Sequence, residues 1–106
     1  MNNVQLDIIG SKFFYSLLNE LNFGYYLSSN SNLDYNKYKK NSFIRIVFPE
    51  YLKLIEAKRY FSENIPTIFF LNNKDFLIKN NFYLLSFHVS LFLPIEILSF
   101  KEILNI

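Results

Sequence analysis

The chain has 106 residues, 51% of them hydrophobic and 20% aromatic, enough apolar surface for one small folded domain and too much for a disordered one. A formal charge of +2, from 11 basic and 9 acidic residues, permits a nucleic-acid partner without announcing one. The sequence lacks cysteine, which excludes disulfide and thiolate chemistry, and its single histidine, His88, excludes a histidine-rich metal site.

Phe, Tyr, Ile, Asn and Lys make up 56 of the 106 residues, whereas Gly, Ala, Arg and Pro together supply 8. The first set has AT-rich codons and the second GC-rich ones. An extremely AT-rich gene follows, as in a mitochondrion, a plastid, an endosymbiont or certain parasites, so the phenylalanine content is not itself a mark of function.

The opening residues, MNNVQLDIIGSK, have neither the basic start nor the apolar core of a secretory signal, and Asp7 argues against an Arg-rich transit peptide. A first amphipathic helix is predicted over Ser11 to Asn22. Ser11 stands at its N-cap, Phe14, Leu17, Leu18 and Leu21 repeat at helical spacing, and Gly24 marks the stop. Ser28 to Ser42 is polar and without periodicity and reads as a linker or extended arm ending in Lys37, Lys39 and Lys40. Such a basic arm follows an RNA backbone or simply forms a solvated loop.

Phe43 to Phe48, FIRIVF, has the β-branched and aromatic texture of a mostly buried strand that ends at Pro49. The segment from Pro49 to Asn64 reads as a helix with Leu54, Ala57 and Phe61 on one face and Ile55 beside them, and with Glu56 and Arg59 at pairing distance. The expected core therefore contains Ile44, Ile46, Leu54, Ile55 and Phe61. Ile65 to Leu71 is again strand-like, Asn72 to Asp75 form a turn, and Asn80 and Asn81 mark another break. Beyond them, Phe82 to Val89 and Ile95 to Ile106 read as two hairpin arms around Ser90 to Pro94, although the last run fits a helix equally well.

Gly10 and Gly24, the two glycines, are separated by the first helix, which excludes a glycine-rich phosphate loop. The nine carboxylates are scattered over polar faces and loops, and His88 has no orienting acid or nucleophile at sequence spacing. No catalytic, cofactor-binding or metal-ligating set emerges, and the chain is expected not to be an enzyme.

The last quarter, FYLLSFHVSLFLPIEILSFKEILNI, resembles the small-subunit ribosomal protein ten family where a strand leads into a Ser-Pro-His-Val loop and returns through Phe-Glu-Ile-Arg-Thr-His/Tyr-Lys-Arg-Leu-Ile-Asp-Ile. Phe87-His88-Val89 stands at the loop. Glu96, Ile97, Lys101 and Ile106 are identical to the family's return strand, and Ile95, Ser99, Phe100, Ile103, Leu104 and Asn105 are conservative changes. Upstream, FIRIVF, the following helix and Ile65-Pro66 stand in the family's order, so the resemblance covers about Phe43 to Ile106. Leu98 and Glu102 replace two family arginines, Phe87 replaces the loop proline, and the family's second helix and last strand have no counterpart.

The resemblance implies an α+β fold, a partial ferredoxin-like split βαββ sheet over residues 43–106, with residues 1–42 as an N-terminal extension of helix plus polar arm. That extension lacks a core of its own and is expected to dock on neighbouring proteins through Phe14, Leu17, Leu18 and Leu21. The implied role is structural: a constituent of the head of the small subunit of a mitochondrial ribosome, touching ribosomal RNA and the neighbouring proteins three and fourteen, with no cofactor, no membrane span and no homo-oligomer. RNA contact is then expected from Lys37, Lys39, Lys40, Lys74, Lys79, His88 and Lys101. A competing expectation is a small accessory subunit of an organellar respiratory or ATP synthase complex, in which Phe82 to Leu98 forms a bilayer helix.

Overall fold

The computed structural model describes residues 5–20, 26–28 and 43–93. Along the chain these form β1 (Gln5–Ile9), α1 (Lys12–Glu20), β2 (Tyr26–Ser28), β3 (Phe43–Val47), a single 3₁₀ turn (Pro49–Tyr51), α2 (Leu54–Ser62), β4 (Thr67–Leu71), the short α3 (Phe76–Lys79) and β5 (His88–Phe92). The strands make one five-stranded sheet in the order β2-β1-β3-β4-β5, and all four neighbouring pairs are parallel.

Parallel strands joined by helical crossovers are covered on both faces, and their sequences carry runs of apolar residues in place of strict alternation. QLDII in β1 and TIFFL in β4 are of that kind, and every residue of both strands is buried. On one face Leu6 and Ile8 of β1, Ile46 of β3, and Ile68 and Phe70 of β4 pack with Phe48 and with Phe14 and Leu18 of α1. On the other, Ile9, Val47 and Phe69 pack with Tyr60 and Phe61 of α2, and Phe76, Leu77 and Phe82 join them from the α3 side. Chain direction explains the split. The crossover from β1 runs to one side of the sheet and that from β3 to the other, and right-handed connections place α1 and α2 on opposite faces. The 2-1-3-4-5 order is that of flavodoxin-like doubly wound sheets.

Helix and sheet are mixed in one fold, as expected, but the ferredoxin-like split is not confirmed. A split βαββ sheet needs antiparallel neighbours, and every pairing here is parallel. The expected boundary at residue 42 also falls inside the sheet, because β1 pairs with β3 along its whole length, from Gln5 with Phe43 to Ile9 with Val47. Phe14 and Leu18, expected to seek a neighbouring protein, are buried against this chain's own strands; Leu21 lies outside the described residues.

Four local expectations change as well. Ser90 to Phe92, read as part of a loop, belong to β5, which pairs in parallel with β4 from His88 to Phe92; the return arm from Ile95 lies outside the described residues. That strand also replaces the bilayer helix of the competing reading, and no helix among the described residues is long and apolar enough to cross a membrane. In α2 the buried residues are Ala57, Tyr60 and Phe61, while Leu54 and Ile55 are 57% and 79% exposed. Arg59 approaches Glu63 at 3.9 Å, one helical turn on, and not Glu56.

Candidate interaction surface

In doubly wound sheets, ligands bind at the carboxyl ends of the strands where the order reverses, here between β1 and β3. Gly10, Ser11 and Lys12 form the turn out of β1, and with Ile8 they line a cavity of about 270 Å³. Gly10 has φ +98°, and a Cβ there would sit 2.8 Å from the Phe48 carbonyl oxygen, so the turn needs glycine to pass beneath β3. The Ser11 hydroxyl accepts from the Phe14 amide at 3.1 Å and caps α1, the role its sequence position predicts.

The polar side chains of the neighbouring loops brace one another. Glu50 accepts from the backbone amides of Asn72 and Asn73, and the Asn72 amide donates to the Tyr51 hydroxyl at 3.0 Å. These bonds tie the loop after β3 to the loop after β4 and commit the carboxylate of this edge to backbone amides.

A polar row also crosses the sheet, through the middle of β1 and β3 to the first residues of β4 and β5. Register aligns Ser28, Asp7, Arg45, Thr67 and His88 on five successive strands, and Asp7, Arg45, Thr67 and His88 are buried. Arg45 donates to Glu63 at 2.8 Å, and its guanidinium lies 5.0 Å from the centroid of the Tyr60 ring. The His88 ring meets Phe69 edge-on at 5.1 Å. Its Nδ1 accepts from the Leu85 amide at 3.0 Å, so in the neutral ring Nε2 carries the hydrogen and donates to the Glu63 carbonyl at 2.7 Å. Asn64 extends the brace, accepting from the Phe87 amide at 3.0 Å and donating to Ser86 at 3.0 Å. This cluster fastens the end of α2 to the segment entering β5.

The predicted RNA-binding set does not come together. His88 is buried with both ring nitrogens engaged inside the protein, which removes it as an RNA contact. Lys74, in the turn after β4, and Lys79, at the end of α3, are exposed. Lys37, Lys39, Lys40 and Lys101 lie outside the described residues.

A different surface, missed in the sequence, lies between α2 and the segment that follows α3. Two adjoining cavities of about 450 and 270 Å³ share Lys58, Asn80 and Phe82 as lining residues. Phe61 and Phe82, stacked with centroids 4.5 Å apart, line the larger one. Leu54 and Ile55 line one end and Tyr83 and Leu85 the other, all four with substantial exposure. The signal in the sequence was the width of the apolar arc on α2. At 100° per residue, Leu54, Ile55, Ala57, Tyr60 and Phe61 span more than the single stripe that one sheet face can cover.

No protein-family model matches the sequence, and no characterised protein or solved structure is significantly similar to it.

Proposed function

We propose that this chain is a non-catalytic α/β binding module that takes its place in a larger assembly by holding an apolar segment of a partner protein between α2 and residues 80–85. One observation carries the reading: the paired cavities are bordered by large side chains that a monomer leaves in water, Ile55 at 79% and Tyr83 at 74% exposure among them. The chemistry of the other regions supports it. Glu50 at the carboxyl edge holds backbone amides, His88 holds the end of α2 to β5, and Glu63 pairs with Arg45 of β3.

A photo-crosslinking residue at position 55, compared with one at the exposed Ser16 on α1, tests the proposal in cells. A discrete adduct from position 55 alone is expected, and equal labelling from both positions would contradict the reading. The small ribosomal subunit is the assembly implied by the residue matches in the last quarter of the chain, and exposed Lys74 and Lys79 are compatible with an RNA-rich neighbour. Co-migration with that subunit through a high-salt gradient supports a ribosomal place; migration elsewhere with the adduct intact rejects it and leaves the binding module standing.

A further inference from the structure

We infer that the groove beside α2 takes an amphipathic helix of a partner protein that presents a carboxylate to Lys58 between two apolar side chains. This inference rests on the binding-module reading and adds the chemistry of the occupant. Lys58 is the charged side chain common to both cavities, and among the described residues no aspartate or glutamate lines either of them. It makes no ion pair among the described residues. The acids of its own helix point elsewhere: Glu56 stands about 160° away around α2 by helical geometry, and Glu63 is taken by Arg45 and Arg59.

An apolar occupant would strip water from the Lys58 ammonium and return nothing, a neutral polar one would return a hydrogen bond without the charge, and a basic one would repel it; a carboxylate at that point restores both the bond and the charge. Helical form follows from the walls. One side of the groove is α2, nine residues or about 13 Å long, and the other is the chain from Asn80 to Leu85, which is not a strand and offers no sheet edge for an extended peptide. Apolar side chains sit at the two ends and Lys58 between them, a layout met by a helix with apolar residues two turns apart and an acid one turn in.

The test is selection on the full chain from a displayed library of amphipathic helices whose groove-facing positions are randomised, with the Leu54→Ser/Ile55→Ser variant as the negative selector. Asp or Glu should be enriched at the central position, and K58E should select Lys or Arg there, with each chosen helix preferring its own target by about tenfold or more. Enriched helices without charge preference, or with the same preference on K58E, overturn the Lys58 inference and leave the groove intact. Failure to enrich any helix over the negative selector overturns both. Two further arms address other occupants: Ile55-dependent binding to vesicles of phosphatidylcholine and phosphatidylserine, or a concentration-dependent dimer that Ile55→Ser dissolves, would each overturn the helix assignment. Unchanged circular dichroism of K58E, whose site is exposed, keeps a negative result meaningful.

Discussion

Gly10, Arg45 and His88 show how far a single residue reaches in this fold. Gly10→Ala places a Cβ against the Phe48 carbonyl and imposes a positive φ on an L side chain, so it should lower stability by about 1–3 kcal/mol, read as a lower urea midpoint with an unchanged slope. Arg45 is fully buried, whereas the Glu63 side chain is 34% exposed. Removing the arginine should therefore cost more than Glu63→Gln, and the double-mutant cycle should give a coupling of about 1–2 kcal/mol that high salt reduces only in part. His88→Ala removes the acceptor of the Leu85 amide and the donor to the Glu63 carbonyl, for a loss of about 1–3 kcal/mol. An unfolding midpoint indistinguishable from that of the parent would show that the ring does not hold α2 to β5.

At the scale of elements, α2 carries two jobs on two sides. Phe61→Ala should cost about 3–5 kcal/mol, because its ring is buried against Phe69 and Phe82, while Ile55→Ser should change stability by less than about 0.5 kcal/mol and abolish partner binding. Thermal melts beside a binding measurement separate the two. The same helix shows what periodicity can and cannot tell. FIRIVF and IPTIFFL announced β3 and β4, and Ser11 with the Phe14 and Leu18 spacing announced α1, because those signals are local. β1 went unread: QLDII holds a polar residue at each of two positions and follows a polar start, and what makes it a strand is burial between β2 and β3, a non-local fact. Strand direction is likewise absent from a period of two, so the hairpin arms read in the sequence and the parallel β5 fit the same apolar letters. The interaction groove stayed hidden because Leu54 and Ile55 look like core residues until α2 is seen to bury Tyr60 in their place.

For the whole molecule, the interior position of β1, between β2 and β3, decides which pieces fold. The chain reverses its winding at β1 and β3, and all five residues of β1 are buried, Leu6 and Ile8 on the face that receives Phe14 and Leu18. A fragment of residues 43–106 would lose those partners, bare the edge of β3 with its unpaired backbone groups, and uncover Ile46 and Phe70. At about 25 cal/mol per Å², burying Leu6, Ile8, Ile9, Phe14 and Leu18 contributes about 1.5–3 kcal/mol for each side chain. Their sum, about 7.5–15 kcal/mol, is of the same size as the 5–15 kcal/mol by which a domain is ordinarily stable. The fragment should therefore lack a cooperative thermal transition and aggregate through its open edge, and adding a separate peptide of residues 1–28 should restore part of the transition. A sharp melt of the fragment alone would mean that β1 is an accessory strand and that residues 43–106 hold a sufficient core by themselves.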